Sequence, residues 1–126
     1  MEDQSRILAA DNDFRSFAVE AFVGHRVGGW PFARFDISSR ELRVRLPFPW
    51  FTTRSQQAAA VRAVVVARRF GERWSLRFDD DGGSLRDVRV HPIYRRQQII
   101  DHLHRCGYQV ADDTADRAFR SRRRPR

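Results

Sequence analysis

The chain has 126 residues, 41% hydrophobic and 32% charged, with one cysteine. That is enough for one core-forming domain, too little for two, and unlike the core-poor composition of a disordered chain. A single Cys106 excludes an internal disulfide and agrees with a reducing, cytoplasmic setting. The longest apolar run, Ala63 to Ala67, is bounded by Arg62 and Arg68, far below the roughly 20 residues of a membrane span. The net charge of +8 is unevenly placed: Arg117, Arg120, Arg122, Arg123, Arg124 and Arg126 close the sequence with no acid among them, leaving 18 arginines against 16 carboxylates elsewhere. All basic residues except histidine are arginine, a bias that codon usage in a GC-rich genome produces as readily as guanidinium chemistry does.

Residues 1–13 open with acid rather than a signal sequence and mix Ile7, Leu8, Ala9 and Ala10 with turn-forming Asp11, Asn12 and Asp13; they read as an N-terminal arm able to dock. From Phe14 the texture is that of strands. Phe17, Val19, Ala21 and Val23 alternate with Ser16, Ala18, Glu20 and Phe22, and the glycines of Gly24 to Gly29 then predict a loop running to Pro31. Ala33, Phe35 and Ile37, a Ser38-Ser39-Arg40 turn, and Leu42, Val44 and Leu46 predict a hairpin with one wet face. Pro47-Phe48-Pro49 interrupts it, and a short strand follows over Trp50 to Arg54. Residues 58–69 carry both an alanine run that favours helix and a valine run that favours strand; the strand is preferred over Val61 to Ala67. Trp74, Leu76 and Phe78, an Asp80-Asp81-Gly82-Gly83 turn, and Val88 and Val90 predict a second hairpin. Pro92 can start a helix of about 14 residues with Ile93, Ile99, Ile100 and Leu103 as its apolar stripe and Gly107 as its left-handed cap. Tyr108 and Val110 are expected to pack beneath it, and residues 111–126 form a charged, Arg-rich tail expected to be disordered.

The expected fold class is α+β, mainly β: a seven-stranded antiparallel bent sheet or partly open barrel capped by one C-terminal helix. Seven strands and one helix in this order, with Trp74 to Asp79, Val88 to Pro92 and Ile99 to Tyr108 as they stand, resemble the closing part of bacterial pleckstrin-homology-like (PH-like) domains, over residues 14–110. The resemblance implies a helix-plugged barrel whose loops after strands one, three and six form a mouth, here Gly24 to Pro31, Pro47 to Pro49 and Asp79 to Gly83. In ligand-binding relatives that mouth is basic. Here Asp79, Asp80 and Asp81 would repel an anionic headgroup, and the first hairpin offers only Arg26 and Arg34 in place of a basic motif.

The chemistry-bearing residues do not assemble into a catalytic pattern. His102 and His104 are two apart on the predicted helix and point away from each other, and His25 and His91 are isolated, so no metal set is expected. Cys106 has no evident base beside it and reads as packing. There is no phosphate loop, nucleophile elbow or paired-carboxylate motif. The expectation is therefore a binding or scaffolding module, not an enzyme, without cofactor or metal. Trp30, Phe48, Trp50 and Phe51 flank glycine or proline in loops and are the candidate contacts for an unknown protein or a second copy. The alternative is peripheral binding of an anionic membrane or nucleic acid through Arg117, Arg120, Arg122, Arg123, Arg124 and Arg126.

Overall fold

The computed structural model describes residues 14–68 and 74–112. The N-terminal arm and the six arginines of the tail lie outside the described residues. Among the described residues, eight strands and one helix follow in chain order: β1 (Arg15–Val23), β2 (Arg26–Ile37), β3 (Glu41–Arg45), β4 (Thr53–Gln57), a 3-10 turn (Ala58–Ala60), β5 (Ala63–Arg68), β6 (Trp74–Asp79), β7 (Val88–His91), α1 (Arg96–Arg105) and β8 (Val110–Asp112). They form one sheet in the order β4-β3-β2-β1-β7-β6-β5-β8, mainly antiparallel and not closed.

The alternation read from the sequence is what builds the core. Val19, Ala21, Ala33, Phe35, Ile37, Leu42 and Val44 have no measurable exposure and line the inner face of β1 to β3. Val64, Leu76, Val88 and Val90 supply the opposite wall. Helix α1 closes one end through Ile99 and Leu103, both fully buried, at about 1.5–3 kcal/mol of transfer free energy per side chain. Its C-terminus ends as expected: Gly107 adopts φ +92°, its N–H bonds to the His104 carbonyl, and the Tyr108 N–H reaches Leu103. The Tyr108 hydroxyl then donates to the Ser38 carbonyl at 2.7 Å, tying the chain after the helix to the β2–β3 turn.

Four expectations are corrected. An eighth strand exists: Val110 and Ala111, expected beneath the helix and in the tail, pair in parallel with Val64 and Val65 and cover the edge of β5. Three residues with no apolar alternation give no strand signal; the open edge of β5 makes the strand. The helix is 10 residues long rather than 14, because Arg95 stands at φ +60° and the chain from Pro92 to Arg95 forms a loop that leaves Ile93 exposed. The expected loop from Gly24 to Pro31 is mostly strand: the turn is only Gly24 and His25, with φ +60° at Gly24, and Val23 already pairs with Arg26. The short strand expected over Trp50 to Arg54 sits later, at Thr53–Gln57. The strand preference for the valine run holds over Ala63–Arg68, while Ala58–Ala60 forms the 3-10 turn.

Gly28 shows why glycine here does not mean loop. A Cβ at this position would stand 2.8 Å from Leu46 Cδ2 and 2.9 Å from Pro47 Cδ, so β2 runs directly beneath the corner that leaves β3. Beyond it the register jumps: Ala21 faces Gly28 but Val19 faces Ala33. Gly29 to Phe32 therefore form a bulge opposite Glu20, which carries Trp30 and Phe32 out of the sheet.

Candidate protein-binding surface

Three connections meet at the end of the sheet away from the Tyr108–Ser38 contact. The β1–β2 turn is fastened to the β6–β7 connection by the Gly24 N–H bonding to the Asp87 carbonyl at 3.0 Å. The β3–β4 loop, residues 46–52, is fastened to β2 by Trp50 Nε1 donating to the Val27 carbonyl at 3.2 Å and Arg26 Nη1 donating to Thr52 Oγ1 at 2.9 Å. The Arg26 guanidinium also lies over the Trp50 ring, 5.8 Å from its centroid. Within the loop, the N–H groups of Trp50 and Phe51 both bond to the Pro47 carbonyl, and Phe51 adopts φ +42°, a conformation that a non-glycine residue enters at some cost.

The consequence of this bracing is an apolar tip. Phe48 and Phe51 pack edge to face, with centroids 5.9 Å apart, yet each remains 76% exposed. Burying rings of this size is worth several kcal/mol, so two left in water at a braced loop are a surface feature that packing among the described residues does not explain.

The carboxylates on this side divide by role. Asp80 is not a solvated turn residue: it is 5% exposed, and its side chain accepts from the Gly83 N–H at 3.1 Å, the Leu85 N–H at 2.9 Å and Gln56 Nε2 at 3.2 Å. It folds the β6–β7 connection around the buried Leu85 and joins it to β4. Asp79 and Asp81 stay exposed, and Arg54 pairs with Asp87 at 3.5 Å. Carboxylates exposed beside the mouth oppose a polyanionic ligand there.

The four candidate aromatics fall into two patches. Phe48, Trp50 and Phe51 share the β3–β4 loop, whereas Trp30 sits in the β2 bulge and packs edge to face on Tyr94, 5.2 Å between centroids. Tyr94, 63% exposed, belongs to this second patch, and Phe32, two residues along the same bulge from Trp30, is 71% exposed; neither is among the residues that the sequence marks as candidates. The dipeptide Pro31-Phe32 beside two glycines is the available signal for Phe32, while a helix starting at Pro92 would include Tyr94. The second patch borders a groove of about 570 Å³ lined by Glu20, Trp74, His91, Tyr94 and Arg96 among others, with the Arg96 guanidinium 4.1 Å from the centroid of Trp74.

His102 is buried with Cys106 Sγ 3.4 Å from its Nε2, and Phe17 packs against the ring. Among the described residues no group of three or more His, Cys, Asp or Glu could hold a metal ion. Nor is any helix among them long and apolar enough to cross a membrane. The chain matches no protein-family model, and no curated protein matches it.

Proposed function

We propose that this chain is a cytoplasmic PH-like module that binds protein rather than catalyses, and that it does so through the braced β3–β4 loop. The exposure of Phe48 and Phe51 carries the reading: two aromatic rings at the tip of a loop held by hydrogen bonds to β2 match the apolar anchors that dominate protein interfaces. The succession of β1 to β7 followed by a helix whose Ile99 and Leu103 enter the core supports the PH-like assignment. Protein is preferred to an anionic surface because Asp79, at the end of β6, and Asp81, in the connection braced against this end, stand exposed.

The test is photo-crosslinking in cells from a benzophenone amino acid at Phe51, with the same group at exposed Arg77 of β6 as control. The expected result is a discrete protein adduct from position 51 that is absent from 77. Absence of adducts from 51, together with co-sedimentation of the purified chain with anionic vesicles, would replace this reading by the peripheral-membrane one.

A further inference from the structure

β4 is the last strand at its end of the sheet, and the pairing with β3 fixes which of its backbone groups are free. The Leu46 N–H bonds to the Thr52 carbonyl and the Ala58 N–H to the Arg40 carbonyl, both at 2.7 Å. Antiparallel ladders alternate hydrogen-bonded and non-bonded pairs, so Arg54, opposite Val44, and Gln56, opposite Leu42, also turn their backbone groups towards β3. Thr53, Ser55 and Gln57 turn theirs outward. Their side chains are exposed, and among the described residues only Gln57 meets part of its need locally, through Gln56 Oε1 at 3.1 Å. The edge carries none of the usual guards against pairing: no proline, no lysine, and its one charge, Arg54, is half-buried beside Asp87.

We infer that the protein bound at this surface is a second copy of the chain, joined by antiparallel β4–β4 pairing with Ser55 on the twofold axis. The inference rests on the protein-binding reading above and specifies its partner. An outward residue must face an outward residue, which leaves few registers. Centring on Ser55 sets Ser55 opposite Ser55 and Thr53 opposite Gln57, uses every outward residue, and yields about six interchain hydrogen bonds. Centring on Arg54 sets arginine against arginine, while the Ser55 register sets Arg54 against Gln56. The same antiparallel arrangement brings the end of the β3–β4 loop, with exposed Phe51, beside the 3-10 turn that follows β4 in the other copy, where Ala59 and Ala60 are exposed. Five-residue strands alone make a small contact. One exposed Phe51 ring from each copy, at about 150–250 Å² per ring, adds to it and keeps the buried area below about 1,200 Å², the range of a weak, transient dimer.

Sedimentation velocity on the full chain tests this through charge exchange at the axis. Ser55 is exposed and stands opposite Arg43 as a pair without backbone bonds to β3, so Ser55→Lys and Ser55→Glu leave the β3–β4 hydrogen bonds in place and keep the fold, checked by circular dichroism. Wild type is expected to dimerise, each variant alone to dimerise at least about tenfold more weakly because like charges face across the axis, and an equimolar mixture of the two to recover dimer. Phe51→Ser, which leaves the edge intact, is expected to weaken the dimer as well. A wild type monomeric at about 100 µM, or variants that associate like wild type, would overturn the inference. In that case an adduct from position 51 to a different protein leaves the broader reading standing, whereas no adduct and no dimer removes both.

Discussion

Asp80→Ala is the sharpest test of how the mouth is organised. The substitution removes an acceptor that serves two backbone N–H groups and the Gln56 amide at 2.9–3.2 Å, at a site 5% exposed. Hydrogen bonds to a charged group contribute about 1.5–3 kcal/mol each, and a buried donor left unpaired costs about 1–3 kcal/mol. Leu85 is fully buried and its N–H loses its partner outright, whereas Gly83 is half-buried and its N–H keeps its bond to the Asp80 carbonyl at 3.2 Å. The expected loss is therefore about 3 kcal/mol, not the sum of three full bonds. For a domain of this size that corresponds to roughly 10–20 °C in Tm. Asp80→Asn can keep its one carbonyl oxygen on the Leu85 N–H and the Gln56 amide, which share Oδ2, and turns its new NH2 towards the Gly83 N–H, which retains its bond to the Asp80 carbonyl, so it should cost about 1 kcal/mol. Urea unfolding and thermal melts of both variants, with Gln56→Ala as the second arm of a double-mutant cycle, measure this. A loss below about 1 kcal/mol for Asp80→Ala would show that the carboxylate is a solvated turn residue and that the connection is organised by other contacts.

Three further outcomes follow from the same geometry. Gly28→Ala should destabilise by about 1–3 kcal/mol and loosen the aromatic loop, read as a red shift of tryptophan fluorescence, since the added Cβ collides with Leu46 and Pro47. Burial, with Cys106 and Glu41 adding, raises the pKa of Tyr108 well above its ordinary value of about 10. The protonated phenol is the form the fold favours, so its contribution is complete below pH ~10 and falls as the pH rises beyond that, by up to about 1.4 kcal/mol per unit. Tyr108→Phe should cost about 1 kcal/mol at neutral pH through the lost bond to Ser38 and flatten that alkaline limb in urea titrations. Phe48→Ser combined with Phe51→Ser should leave Tm within a few degrees, because both rings are 76% exposed, while abolishing partner capture.

What was legible in the sequence was whatever a local period or a backbone requirement writes there. Two-residue alternation located the inner faces of β1, β3, β6 and β7, the stripe of Ile99 and Leu103 located α1, and Gly107 its end. Proline and glycine beside aromatics marked Phe48, Trp50 and Phe51 as surface candidates, since a large ring in a broken segment has no periodic core to enter. Tertiary structure decided the rest, because the forces involved act between residues distant in sequence. Gly28 looks like loop flexibility until Leu46 and Pro47 are seen to press on it. Asp80 looks like one of three solvated acids until the folded connection turns two N–H groups and Gln56 towards it. Val110 has no strand pattern of its own and becomes β8 only where β5 offers an unpaired edge. The separation of Trp30 from the other aromatics depends on a register jump in β1–β2 pairing, which no property of either segment alone specifies. A pairing edge is likewise invisible in Thr53–Gln57, because which backbone groups are free depends on what lies beside the strand and not on its side chains.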